Sequence, residues 1–130
     1  MDSSLIALVL IALVLVGLLS AVMRFTKPRL NKEHFAKKWR EVENESNHML
    51  AIIKADSLVD EALKHAHIKG NTMGERLNHA AGLLRDLNGA WGAHKLRNRL
   101  VHETDTNVTA AQYNFALRQC KKALKDLGAL

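Results

Sequence analysis

The residues best suited to chemistry lie near the C-terminal end of the chain, where Arg97, Asn98 and His102 fall within one short segment. An arginine guanidinium presents a planar fork of N–H donors that matches the oxygens of a phosphate. An imidazole titrates near neutral pH, so a histidine can take or give a proton under physiological conditions. The three residues therefore predict a site that binds a phosphate and transfers a proton.

If the segment is helical, the spacing of these residues places them on two different faces of the helix. Asn98 and His102 lie one turn apart on the same face, whereas Arg97 and His102 are separated by about 140° around the axis. Two copies packed through this helix would bring both arginines and both histidines to one cleft, because a twofold interface is self-complementary. We therefore predict a homodimer with a shared site. The alternative is a structural role, in which Arg97 and His102 cap or pair at the end of their helix.

Apolar residues at three- and four-residue spacing predict the helices that carry this segment. The patterns are interrupted at Gly70-Asn71 and at Asn88-Gly89. Two helix-capping signatures are present, Thr72-x-x-Glu75 and Thr109-x-x-Gln112. The predicted helices cover 31–67, 73–86, a segment from Trp91 to Val101, and 109–127. No stretch alternates in the manner of a β-strand. The sequence thus predicts an all-α protein in which a four-helix bundle follows an N-terminal transmembrane helix.

That N-terminal segment has the length and composition of a membrane span. No charged residue occurs from Ser3 to Met23, and as a helix this run extends about 30 Å, the thickness of the hydrocarbon core. A cleaved secretory signal is the alternative, but only Asp2 precedes the run as a charge, and no convincing small-x-small cleavage site ends it. We therefore predict an uncleaved single-pass anchor over residues 1–25. Pro28 is predicted to break the chain where it leaves the bilayer.

The charges around the span predict its orientation. From Arg24 to Arg40 the chain carries many lysines and arginines with Glu33 as the only acid, so this side is expected in the cytoplasm. The expected location is the inner membrane of a cell, with 26–33 as a juxtamembrane linker and 34–130 as the helical domain. The whole chain has a net charge of +6, which suits contact with anionic membrane lipid or nucleic acid.

Other residues able to do chemistry are assigned structural roles by their surroundings. Cys120 is the only cysteine and lies among apolar residues at helical spacing, which predicts a buried structural thiol. His65 and His67 would point their rings about 200° apart on a helix, so no metal site is predicted. His94 lies one turn before Asn98, and a core-edge or surface imidazole is favoured over a part in the site. No cofactor is expected.

The motif Arg97-Asn98-x-x-x-His102, late in a helical bundle, resembles the R-N-x-x-x-H signature of HEPN domains, which are found in many prokaryotic RNase toxins and defence proteins. The surrounding stretch from Trp91 to Glu103 is similar to the same region of small bacterial HEPN-like proteins. The resemblance covers residues 45–130 and leaves the membrane anchor outside it.

This resemblance implies a metal-independent endoribonuclease whose site forms at a dimer interface. His102 would act as general acid or base on the ribose 2′-hydroxyl or the leaving oxygen, and Arg97 would stabilise the charge on the scissile phosphate. Asn98 would orient the phosphate or His102. Lys95 and Arg99 flank the motif and are candidates for contact with the RNA backbone, the alternative being ordinary surface cations. RNA and a nucleotidyltransferase-type antitoxin are the partners implied. The alternative class is a non-catalytic, membrane-tethered module that binds a nucleotide or a partner protein.

Overall fold

The computed structural model describes residues 2–25, 29–103 and 107–130. Within these residues the regular structure is entirely helical, as the sequence predicts. The helices are α1 Ser3–Phe25, α2 Lys32–Glu43, α3 His48–His65, α4 Met73–His79, α5 Leu87–His102 and α6 Ala110–Asp126. The fold class is therefore all-α, with one apolar helix at the N-terminal end.

Helix α1 differs from the other helices in composition and in surroundings. Its span from Ser3 to Met23 reaches a mean hydropathy of 3.1 and is 0% buried. It contacts none of the other described helices. Among the described helices, α1 is the one that is long and apolar enough to cross a membrane. A core helix of a soluble protein would instead bury its apolar residues. The predicted break at Pro28 lies outside the described residues.

The single helix predicted over 31–67 is wrong, because the structure divides it into α2 and α3. Residues 44–47 separate the two helices. Asn47 caps α3 by accepting a hydrogen bond from the backbone N–H of Leu50 at 3.0 Å. A short polar side chain such as that of asparagine can hydrogen-bond to backbone groups at the end of a helix. A helix can therefore end within a stretch that contains no glycine or proline. Helix α2 begins at Lys32, within the segment predicted as a linker.

The helix predicted over 73–86 is shorter in the structure. Helix α4 has 7 residues, and turns occupy most of the chain between it and α5. Gly82 lies in this part, and glycine disfavours a helix by about 1 kcal/mol relative to alanine. The predicted capping box is half formed, because Thr72 accepts from the N–H of Glu75 but the Glu75 carboxylate accepts from the N–H of Asn71. The capping box predicted before α6 is confirmed in both directions.

Helix α3 lies at the centre of the bundle and packs against α2, α4, α5 and α6. The apolar faces of these helices form one core. The largest fully buried side chains are Phe35, Val42, Ile52, Leu63, Leu77, Leu100, Leu124 and Leu127. Complete burial of such a side chain contributes about 1.5–3 kcal/mol. The described bundle therefore holds five helices around one core, where the sequence predicts four.

Helices α5 and α6 are antiparallel, because Gly89 approaches Gln119 and Gly92 approaches Phe115. The prediction that Asn88-Gly89 separates two helices is wrong, since both residues lie in the first turn of α5. Glycine serves close packing at this position. A β-carbon at residue 89 would overlap the side-chain oxygen of Gln119.

Replacing Gly89 with alanine is expected to lower the free energy of unfolding by about 1–3 kcal/mol, because added atoms in a packed contact force their neighbours to move. Gln119 is 7% exposed and has little room to turn away. The matched control is Gly82→Ala, since no atom lies within 4 Å of a β-carbon there. That change is expected to raise stability by about 0.4–1 kcal/mol. Urea unfolding of the full chain in detergent measures the free energy of unfolding of both variants. If the two substitutions change it in the same direction, the packing argument is contradicted.

Candidate functional site

Helix α5 carries every residue that the sequence assigns to the site, but in different environments. Lys95, Arg99 and His102 are exposed, and His102 is the last residue of the helix. Arg97 and Asn98 are half-buried. The structure thus brings Arg97 and Asn98 together beside α3 and leaves His102 at the open end of α5.

Two contacts fix the guanidinium of Arg97. Its Nη1 donates a hydrogen bond to the Oδ1 of Asn98 at 3.0 Å, and its Nε lies 3.6 Å from a carboxylate oxygen of Asp56 on α3. The Nε atom is buried and has no hydrogen-bond partner among the described residues. The Arg97 side chain nevertheless keeps 31% of its surface exposed. The Arg97 side chain is therefore held in place while part of its surface stays open to solvent.

His94 links Asp56 to Asn98, from a core-edge position where its side chain is 12% exposed. Its Nδ1 lies 3.2 Å and 3.1 Å from the two carboxylate oxygens of Asp56, and its Nε2 lies 3.3 Å from the side-chain nitrogen of Asn98. For a neutral ring, one assignment of hydrogens satisfies these contacts: Nδ1–H donates to Asp56, and Nε2 accepts from Asn98. The Asn98 oxygen is then free to accept from Arg97. Asp56, His94, Asn98 and Arg97 thus form a continuous network of side chains that runs from the carboxylate of Asp56 to the guanidinium of Arg97.

The sequence interpretation missed Asp56, which is 3% exposed in the middle of α3. It follows Ala55 and precedes Leu58 and Val59, all of them core residues. A carboxylate among core positions is the signal that could have revealed it, because buried charges are almost always paired. Its partner could not be read from helical spacing, since His94 lies 38 residues along the chain.

Arg97 and His102 do not meet within one chain. They are separated by about 140° around α5, and the described contacts of the Arg97 guanidinium are with Asn98 and Asp56. His102 is exposed next to Val101, an apolar side chain with 46% exposure. Within one chain, the structure therefore does not bring Arg97 and His102 to one site.

An open groove of about 570 Å³ lies beside the network and is lined by residues of α3, α4 and α5. Burial acts to raise the pKa of Asp60 on its wall, but hydrogen bonds from Arg76 and Lys64 outweigh burial and hold that pKa below its usual range. Burial likewise opposes the hydrogen bonds from α2 that lower the pKa of Glu61. Asp60 and Glu61 are thus already paired with cations, and Arg97 lines the groove as a further cation.

Among the described residues, no group of three or more histidine, cysteine, aspartate or glutamate side chains is placed to hold a metal ion. The ring of His65 stacks on that of His34 at a centroid distance of 6.2 Å. Cys120 is buried, and burial, together with the Asp56 carboxylate, raises the pKa of its thiol. The predicted buried thiol is confirmed, and a raised pKa is the opposite of what a thiolate nucleophile needs.

Comparisons of the chain with protein-family models, with curated proteins and with solved structures found no match. The resemblance to HEPN domains therefore remains a prediction from the sequence motif in α5. The contacts of Asp56 and His94 with Arg97 and Asn98 are features that the motif alone does not contain.

Proposed function

We propose that this protein is a membrane-anchored, HEPN-like ribonuclease that works as a dimer without a metal ion. Arg97, Asn98 and His102 are its catalytic residues. The observation that carries the proposal is the state of Arg97, whose guanidinium is fixed by Asn98 and Asp56 while part of its side chain stays exposed. A cation that is already oriented stabilises charge on a phosphate without rearranging during the reaction.

The proposed reaction needs one cation and two proton carriers. The ribose 2′-oxygen attacks the phosphorus and the bond from phosphorus to the 5′-oxygen breaks, which leaves a 2′,3′-cyclic phosphate and a free 5′-hydroxyl. One His102 takes the proton of the 2′-hydroxyl, and the His102 of a second copy gives a proton to the leaving oxygen. Arg97 stabilises the charge on the nonbridging oxygens, and Asn98 orients the phosphate.

The exposed surface around His102 supports the dimer. Outside α1, the large apolar side chains that are exposed among the described residues are Leu50 and Val101. Leu50 lies in the first turn of α3, where His48 stacks on Tyr113 near the start of α6. Because α5 is antiparallel to α6, its last turn, with Val101, lies at that same end of the bundle. Exposed apolar side chains beside His102 suit contact with a second copy.

The membrane anchor is part of the proposal. The basic residues that follow the span favour a cytoplasmic bundle at the inner membrane, where RNA is within reach. The pattern Gly17-x-x-x-Ala21 lets two spans approach closely, and anchoring both copies in one bilayer raises their effective concentration. Lys95 and Arg99 are exposed on α5 and supply contacts to the RNA backbone. The family resemblance adds a nucleotidyltransferase-type antitoxin as the neutralising partner.

RNA cleavage by the full chain in lipid nanodiscs tests the proposal. Incubated with single-stranded RNA and EDTA, the dimer is expected to release fragments that end in a 2′,3′-cyclic phosphate. Arg97→Ala is expected to reduce the rate by about 10²–10³-fold, whereas Arg118→Ala removes an exposed arginine of α6 and is expected to leave the rate unchanged. If the folded dimer cleaves no RNA, the ribonuclease is excluded and a non-catalytic binding module is left as the function.

A further inference from the structure

We infer that Asp56 and His94 are positioning residues of this site, which orient Asn98 and hold Arg97 for the phosphate. The inference rests on the proposed ribonuclease function. It adds two residues that the R-N-x-x-x-H motif does not contain, one of them on a different helix. Neither residue touches the reacting atoms, because both act through Arg97 and Asn98.

The burial of Asp56 explains why Arg97 is fixed. The Asp56 side chain is 4% exposed, and its described ion-pair partners are His94 and Arg97. A buried carboxylate without partners is strongly unfavourable, so these two side chains of α5 stay turned toward α3. An arginine that moved freely in solvent would lose much rotamer freedom on binding a phosphate. Here that ordering takes place when the protein folds, before RNA arrives.

His94 determines which end of the Asn98 amide faces Arg97. With its hydrogen on Nδ1, the ring donates to Asp56, and its Nε2 accepts from the Asn98 nitrogen. Asn98 therefore turns its oxygen toward the Nη1 of Arg97, at 3.0 Å. With the hydrogen on Nε2, the amide would turn around and present its NH₂ group to Arg97, where two donors face each other. The contact with Asp56 selects the productive tautomer.

No other acid of the groove can take the place of Asp56. Asp60 is held by the Nε of Arg76 at 2.8 Å, and Glu61 is held by the Nζ of Lys38 at 2.8 Å. Both carboxylates are thus occupied on their own side of the groove. The orientation of the site depends on one buried carboxylate and on the imidazole that connects it to Asn98.

Exchanges at His94 separate positioning from packing. His94→Leu removes both the donor and the acceptor and is expected to lower kcat by about 10²-fold with a smaller change in KM, because small displacements of catalytic groups have effects of that size. His94→Gln keeps a donor for Asp56 and an acceptor for Asn98, so its kcat stays within about tenfold of the unchanged protein. The matched control is His34→Leu, which removes a 2.7 Å contact with Glu61 outside the network and leaves kcat unchanged.

A second measurement does not depend on cleavage. Long-range ¹H–¹⁵N spectra of the full chain in nanodiscs are expected to show the hydrogen of His94 on Nδ1. The ¹H and ¹⁵N shifts of the Asn98 side-chain amide are expected to change in His94→Leu and to stay the same in His34→Leu, because His94 contacts that amide directly. Spectra also show whether each variant is folded.

Two results would overturn the positioning role alone: a hydrogen on Nε2 of His94, or a folded His94→Leu that cleaves RNA at the full rate. A failure of His94→Gln to retain more activity than His94→Leu would also count against it. Absence of cleavage by the unchanged protein overturns the proposed ribonuclease itself, and the positioning role with it. The two failures are distinguishable, because only the failure of the ribonuclease proposal leaves the unchanged protein without RNA cleavage.

Discussion

Replacing His102 with asparagine is expected to lower RNA cleavage by the full chain in nanodiscs by about 10²–10⁴-fold, the usual contribution of general acid–base catalysis. Asparagine does not take or give a proton near neutral pH, whereas imidazole titrates in that range. His102 is exposed and ends α5, so the exchange is expected to change stability by no more than about 0.5 kcal/mol. A loss of single-turnover rate therefore reports a loss of chemistry.

His67→Asn is the matched control, because it makes the same exchange at another exposed histidine. His67 has a φ of 57°, a left-handed conformation that asparagine adopts more readily than most residues. The control is expected to fold normally and to cleave RNA at the unchanged rate. Equal rates for His102→Asn and the unchanged protein would remove His102 from the chemistry.

Mixed dimers test whether the site is shared between two copies. Arg97→Ala and His102→Asn are each expected to be nearly inactive alone. Reconstituted together, they form dimers in which one copy supplies Arg97 and the other supplies His102. Partial activity above that of either variant is expected, because a twofold interface brings one Arg97 and the one remaining His102 to the same cleft, with water replacing the missing second proton carrier. If mixing restores no activity, the shared site is wrong.

The features of the fold that could be predicted from the sequence depend on neighbours along the chain. The uncharged run from Ser3 to Met23 is helical and exposed in the structure, and apolar spacing located α5 and α6. The Thr109-x-x-Gln112 signature forms its capping box because both partners lie in the first turn. Such features follow from local hydrogen bonding and periodicity, so they need no knowledge of how the helices pack.

The features that could not be predicted depend on contacts between helices. Asn88-Gly89 is typical of a turn, but the glycine is there because Gln119 of α6 comes close to it. Asp56 reaches the site from α3, and only the packed bundle brings it to His94. The motif in α5 therefore locates a segment whose side chains are suited to catalysis. The side chains that hold the segment in place are apparent only once α3 lies beside it.

Replacing Phe35 with alanine is expected to lower the free energy of unfolding by about 3–5 kcal/mol, the usual effect of deleting a buried aromatic ring. Phe35 is 0% exposed near the start of α2. Its ring meets those of His34 and His65 edge-on, at centroid distances of 5.1 Å and 5.7 Å. Small domains are stable by about 5–15 kcal/mol, so this one change removes a large share of the total.

Phe115→Ala provides the comparison, because it deletes the same ring from a half-buried position on α6. Its expected effect is about 1–2 kcal/mol, in proportion to the smaller area removed from water. Urea unfolding of the full chain in detergent, followed by tryptophan fluorescence, measures both variants. A loss at Phe35 no larger than at Phe115 would mean that α2 only connects the anchor to the bundle. The larger loss would mean that the first helix after the membrane span is part of the core on which α3 and the Asp56 network are built.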